Sequence, residues 1–192
     1  NIHSNFNVKF IHTLILLEKF DKAFAFSNSI WIEDELFFEI DLLLGLESFI
    51  KKDFKKAEKY FKRLNKASDN NLFFEDLFGN ILITWVKASE NKQKESFNFL
   101  KKIPLRFESF KKIQNSFLHC YFDLPETEIV FGQLIASKDA SFDRYNFFLT
   151  NYLLHKNENN KAKELVNLKK NAENSNLLIK QTRNFILDGK NK

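Results

Sequence analysis

Methionine is absent from the 192 residues of this sequence, and glycine, proline and cysteine number only four, two and one. Because glycine and proline punctuate turns, so few of them leave little room for β-hairpins or long loops, which favours helices throughout. The single cysteine, Cys120, excludes an intramolecular disulfide framework and favours a reducing compartment. The missing initiator methionine leads us to expect that the chain begins inside a longer protein or after processing.

Long apolar runs are also missing. The two longest, at 11–17 and 36–50, are too short or are interrupted by Glu39, Asp41 and Glu47. A transmembrane helix needs about 20 consecutive apolar residues, so we expect none. We predict a cytoplasmic protein, and leave an exported location open because the native N-terminus is expected to lie upstream.

Helical periodicity is what the sequence does contain, and it is clearest at 42–64. Two amphipathic stretches meet there at a Lys-Lys-Asp corner, where Asp53 is placed to cap the second helix. Asp21 is a cap candidate for an earlier helix, which follows it in sequence. Gly45 and Ala57 lie near the middle of the two stretches, where packed helices approach to about 8–10 Å. The pattern therefore predicts two antiparallel helices in close contact.

These positions resemble a known repeat. Leu44 and Gly45, followed by Ala57 twelve positions after the glycine and Phe61 four later, are similar to the tetratricopeptide repeat, a 34-residue helix-turn-helix unit. Asp41 stands where the first helix of that repeat carries a tryptophan. The small position recurs along the chain with separations of 34, 39, 31 and 35, at Ala23, Ala57, Ser96, Thr127 and Ala162.

The resemblance implies an all-α solenoid, a right-handed superhelix of about five antiparallel hairpins closed by a C-terminal capping helix. We expect a single repeat domain over 1–187 and a polar tail over 188–192. The expected repeats are 4–33, 34–70, 72–104, 106–138 and 141–171, and the expected cap is 174–187.

In tetratricopeptide repeats the first helix of each pair lines the concave face and the second helix faces outward. Mapping that face predicts an apolar groove along three pairs that runs into a basic, amide-rich end and would suit an amphipathic or acidic peptide. The predicted partner-binding residues are His12, Leu42, Leu46, Phe49, Phe78, Ile81, Trp85, Lys112, His119, Arg144, Asn151 and His155. The repeat-defining structural residues are Ala23, Leu44, Gly45, Ala57, Phe61 and Ala162.

The basic residues are distributed unevenly along the sequence. The net charge is +5, from 30 basic and 25 acidic residues, which is too small to indicate nucleic-acid binding by itself. The basic residues crowd into 51–66 and 101–112, and we interpret them as solvated outer faces, with a patch for phosphate or acidic lipid as the alternative. The acidic run at 33–35 is interpreted as the start of a helix, where negative charge is favourable.

Patterns typical of catalysis are not found. The four histidines are too dispersed for a helical zinc motif, and the adjacent His119 and Cys120 would point about 100° apart on a helix. There is no glycine-rich phosphate loop and no Gly-x-Ser-x-Gly elbow. We therefore expect no enzyme activity, no metal and no cofactor.

The leading hypothesis is a non-catalytic scaffold or adaptor that binds a peptide or partner surface on its concave face. Self-association through the same groove stays open. The alternatives are a basic-faced accessory that binds RNA, the ribosome or an anionic membrane, and a regulatory arm of a larger enzyme.

Overall fold

A computed structural model of the chain describes residues 2–68, 76–136, 143–168 and 184. Over these ranges the protein is all-helical, with ten α-helices and no strand. The first six are α1 (Ile2–Leu16), α2 (Phe20–Ile30), α3 (Phe38–Ile50), α4 (Phe54–Ser68), α5 (Phe78–Ser89) and α6 (Gln93–Lys101). A 3₁₀ turn, Leu105–Phe107, precedes α7 (Glu108–Tyr121), α8 (Thr127–Ala136), α9 (Asp143–His155) and α10 (Asn159–Leu168).

The same corner joins the two helices of every successive pair. Its central residue has a positive φ, between 52° and 62°, and its N–H donates to the carbonyl three residues back. The next N–H donates to the carbonyl five residues back, which is the Schellman arrangement that ends a helix. The five central residues are Glu18, Lys52, Asn91, Asp123 and Asn157.

A small side chain follows each corner, and all five are almost completely buried. Ala23, Ala57, Ser96 and Ala162 come five residues after the central corner residue, and Thr127 comes four after it. The shorter fourth spacing coincides with Pro125, which precedes α8 and leaves the N–H of Thr127 donating to the carbonyl of Leu124. The corner and the small position therefore recur together, with a one-residue shift in the fourth pair.

The chain divides into two compact units, Asn1–Gln114 and Asn115–Lys192, with the boundary inside α7. In the first unit each helix packs against the next, from α1 through α6. In the second unit α9 contacts both α8 and α10, and the ring of Phe117 on α7 lies 5.8 Å from that of Phe131 on α8.

Helix α4 is in close contact with a glycine on α3 and with another on α5. A Cβ added at Gly45 would lie 2.3 Å from Cε1 of Phe61, a ring that is itself buried. A Cβ added at Gly79 of α5 would lie 2.6 Å from the backbone carbonyl oxygen of Phe61. Because neither distance leaves room for a methyl group, α3 and α5 can each approach α4 this closely only where they carry a glycine.

Two local predictions are wrong, and one lies outside the described residues. The acidic run 33–35 does not begin a helix, since α3 begins at Phe38 and 33–35 lie in the connector that follows α2. Asp21, a predicted cap, lies inside the first turn of α2, whose N-cap is Lys19. The predicted capping helix 174–187 falls outside the described ranges except for Asn184, which is helical. Asp53 does cap α4, accepting the backbone N–H of Lys56 at 3.1 Å.

Candidate functional site: an apolar groove beside a charged network

An apolar groove of about 360 Å³ opens between α1, α2 and α3 in the first unit. Clefts that hold small ligands typically measure about 300–1,000 Å³, so this groove is large enough to take several side chains of a partner. Its lining residues are Ile11, His12, Ile15, Phe20, Phe24, Glu39, Leu42, Leu43, Leu46 and Ile50.

The rim of the groove combines exposed apolar groups with two polar ones. Phe20 is 48% exposed and Ile50 is 71% exposed, so both present large apolar surfaces to water beside a concave apolar floor. His12 is exposed, and Glu39 is half-buried with no ion-pair partner within the described ranges. The described lining holds no lysine or arginine, so this stretch of groove favours an apolar segment and has a single carboxylate to meet a cation.

The sequence-predicted groove residues separate into several surroundings. His12, Leu42 and Leu46 line the cavity together. Phe49 packs instead against the buried cluster around Phe61, and Leu42 and Leu46 also touch that cluster from the groove side. Some residues of the predicted apolar floor therefore line the cavity, and others pack in the hydrophobic core.

Trp85, one of the predicted groove residues, is half-buried, and its side chain forms a hydrogen bond inside the first unit. Its indole Nε1 donates to Oε1 of Gln114 at 2.7 Å, which ties α5 to α7 within the first unit. Phe78 is 38% exposed, and Ile81 is half-buried. None of the three lines the cavity between α1, α2 and α3.

The basic and amide-rich part of the predicted groove is not brought into that cavity either. Lys112 belongs to the first unit, whereas His119, Asn151 and His155 belong to the second. His119 Nδ1 lies 2.8 Å from the carbonyl oxygen of Asn115, and the amide of Asn151 donates to the carbonyl of Phe147. Arg144 lies on α9, and its side chain is outside the described part.

Sequence reasoning missed seven of the ten residues that line the cavity: Ile11, Ile15, Phe20, Phe24, Glu39, Leu43 and Ile50. Phe20 and Phe24 lie on the second helix of the first pair, which the family resemblance had placed on the outer face. Their i, i+4 spacing identifies one face of α2 but not what that face meets. The exposure of Ile50 at the end of α3 likewise has no signature in a single sequence.

A charged network lies on the far side of α3, and it corrects the interpretation of one basic group. Arg63 belongs to the lysine-rich stretch expected to be solvated, yet its side chain is only 11% exposed and its Nε lies 2.8 Å from Oδ1 of the fully buried Asp41. The same guanidinium donates to the backbone carbonyls of Ile32, Glu33 and Glu35. Arg63 therefore fastens the connector between α2 and α3 onto α4.

Trp31 completes this network. Its indole Nε1 donates to Oδ1 of Asp41 at 3.0 Å, its ring meets Tyr60 edge-on at 5.6 Å, and the Arg63 guanidinium lies 5.1 Å from its centroid. Burial raises the pKa of the Asp41 carboxyl, and the hydrogen bonds from Arg63 and Trp31 oppose that rise. The network is thus a structural tie with a desolvated carboxylate at its centre.

A second buried cation lies where α4, α5 and α6 meet. Lys87 is nearly buried, and its Nζ lies 2.6 Å from Glu58, 3.5 Å from Glu90 and 3.4 Å from Glu95. Burial alone would lower the pKa of Lys87, but the hydrogen bond and charge of Glu58 outweigh it and raise that pKa. Three helices are therefore joined through one ammonium group.

Among the described residues, no three or more His, Cys, Asp or Glu side chains are grouped so that they could hold a metal ion. No helix in the described ranges is both long and apolar enough to cross a bilayer. Burial and the nearby Asp123 raise the pKa of the half-buried Cys120 thiol, which disfavours the reactive thiolate.

Comparison with protein-family models, curated proteins and solved structures gives no match to this chain.

Proposed function

We propose that this protein is a non-catalytic helical-repeat scaffold, of the kind formed by tetratricopeptide repeats, which binds a segment of a partner protein in the groove between α1, α2 and α3. The observation that carries the proposal is the groove itself. It is concave and apolar, and it has the exposed side chains of Phe20 and Ile50 at its rim. Exposed apolar surface gathered around a cavity is typical of a recognition site.

The repeat character is supported by features that recur at similar intervals. The central corner residues are 34, 39, 32 and 34 positions apart, and each pair places a buried small side chain near the start of its second helix. Consecutive contacts from α1 to α6 are the packing expected of stacked hairpins. The cavity lies between the first pair, α1 and α2, and α3 of the second pair.

The chemistry of the groove selects the kind of segment. An amphipathic helix with apolar side chains at i, i+3 or i+4, and i+7 would fill the floor formed by Leu42, Leu46 and Ile15. A basic side chain on that segment would meet the carboxylate of Glu39. The acidic peptide that the sequence suggested has no cation to meet in this cavity.

Selection of binding peptides from a displayed random library, with the intact chain as the target, tests the proposal. Peptides selected from a random library should be amphipathic helices, and their affinity should fall about tenfold or more in the double variant Phe20→Ser, Ile50→Ser. Both side chains are exposed, so the variant should keep its fold. Leu16→Ser, at an 83% exposed position outside the cavity lining, is the matched control and should bind normally. Equal binding by the groove variant and the control, or failure to select any peptide, would refute the proposal.

A further inference from the structure

A second surface of the first unit combines clustered basic residues with exposed apolar side chains. It runs from the end of α6, through the 3₁₀ turn Leu105–Phe107, into the start of α7. The segment 101–112 has five basic residues and one acidic residue, Glu108. Leu105 is 80% exposed and Phe110 is 53% exposed. Two large apolar side chains of this basic segment are therefore in contact with water.

These exposed groups are held by a fixed backbone. Ile103 and Phe107 are buried on either side of Leu105, and the N–H of Phe107 donates to the carbonyl of Pro104 at 2.9 Å. Ile103 and Phe107 take the inward positions of this turn, which leaves Leu105 on its outer side. Its exposure is therefore a property of the folded turn.

The positive charge continues onto α4. Lys102 lines a concavity together with Lys62 of α4, and Lys62 also lines a wider concavity with six basic and four acidic residues, among them Lys55 and Lys66. Lys59 and Lys62 are paired with Glu33 and Glu58, which reduces their effect. No ion pair is formed, among the described residues, by Lys55, Lys56, Lys66, Lys101, Lys102 and Lys111.

We propose that the segment 101–112, backed by the unpaired lysines of α4, docks the protein on an anionic phospholipid surface. Leu105 and Phe110 enter the interfacial region, while the lysines lie against the lipid phosphates and carboxylates. Lysines near an anionic leaflet and apolar side chains that reach the headgroup boundary contribute independently to such binding. This inference does not depend on the peptide groove, which lies elsewhere in the unit.

The exposed leucine distinguishes a membrane from a nucleic acid. Lysines bind phosphates of either kind, and an exposed phenylalanine can stack on a base. An aliphatic side chain has neither a charge nor a stacking face, so Leu105 contributes to binding only where there is an apolar phase to enter. The combination of Leu105 with Phe110 therefore favours lipid.

Vesicle sedimentation of the full chain tests this docking. The chain should sediment with vesicles of phosphatidylcholine mixed with phosphatidylserine, should stay in solution with phosphatidylcholine alone, and should be released by added salt. Two double variants should each weaken binding about tenfold or more. One combines Leu105→Ser with Phe110→Ser, and the other, the lysine variant, combines Lys101→Glu with Lys102→Glu. Far-UV circular dichroism checks that each variant is folded, and Ile129→Ser, at an exposed apolar position on α8, should bind normally.

Three results would overturn the proposal. The first is no sedimentation with the anionic vesicles. The second is sedimentation that the Leu105→Ser, Phe110→Ser variant leaves unchanged. The third is that the chain binds single-stranded RNA but neither kind of vesicle, and that the lysine variant loses the RNA binding.

Discussion

The guanidinium of Arg63 lies 2.8 Å from the carboxylate of Asp41, which is fully buried. This pair brings together the first helix of the second hairpin, the second helix of the same hairpin and the connector that precedes them. A carboxylate in such a place is tolerated only because a cation and an indole N–H face it.

Arg63→Met should destabilise the protein strongly, because it leaves the buried carboxylate of Asp41 without its cation. The loss of one partner from a buried pair costs about 3–5 kcal/mol of unfolding free energy, measurable by urea denaturation at neutral pH. Lys59→Met is the matched control, since its ion pair with Glu33 is exposed and contributes about 1 kcal/mol or less. Similar small losses in the two variants would show that the Asp41 contact is not what fastens the connector.

Gly45→Ala should also be destabilising, although alanine is the better helix former. The new Cβ would meet the buried ring of Phe61, and such overpacking costs about 1–3 kcal/mol, more than the roughly 1 kcal/mol gained in helix propensity. Gly132 lies inside α8 with nothing within 4 Å of an added Cβ, so Gly132→Ala should be stabilising by up to about 1 kcal/mol. Thermal unfolding of the two variants should therefore shift in opposite directions. A stabilising Gly45→Ala would mean that α3 and α4 are farther apart than described.

The corners predict a stabilising substitution. Lys52 has a φ of 61°, a conformation that costs an ordinary residue about 1–2 kcal/mol and glycine almost nothing. Lys52→Gly should raise the free energy of unfolding, and Lys52→Val, with its β-branched side chain, should lower it. Lys51→Gly is the control, because Lys51 has a φ of −75° and should lose stability instead. If both glycine variants are destabilised equally, the left-handed corner is not present in solution.

The junction at Lys87 predicts a pH dependence. Burial would raise the pKa of Glu58, but hydrogen bonds and charge from Lys62 and Lys87 hold it below the ordinary value of 4.5. Because the folded-state pKa is lower than the unfolded one, this contribution to stability is present above about pH 4.5 and is lost as the pH falls through the folded-state pKa. Unfolding free energies across that range should fall less steeply in Glu58→Gln than in wild type. An unchanged slope in Glu58→Gln would contradict the assignment.

Local patterns were enough to predict the helices and the small positions. The apolar period places α3 and α4 on either side of residues 51–53, and Asp53 carries its own capping signal, so both follow from neighbours in sequence. The buried positions of Ala23 and Ala162 likewise follow from short-range spacing. These features depend on contacts within one helix or between consecutive helices.

Features built from distant contacts could not be predicted in this way. Arg63 looks like one more surface cation in the sequence, and only the connector carbonyls and Asp41 distinguish it from Lys62. The groove was predicted in part, through His12, Leu42 and Leu46, because the first helices were assumed to form it alone. Phe20 lines the cavity as well, because α2 also contributes to it. That contribution depends on how the first two hairpins pack against each other, and not on spacing within one helix.

The central claim is that the groove between α1, α2 and α3 is where a partner segment binds, and amide chemical-shift mapping by NMR tests it most directly. Titration of a selected amphipathic peptide into the labelled chain should shift resonances of groove residues such as Ile15, Phe24 and Leu46, and leave those of α10 unchanged. Shifts confined to the outer lysines of α4, or to the second unit, would contradict the account.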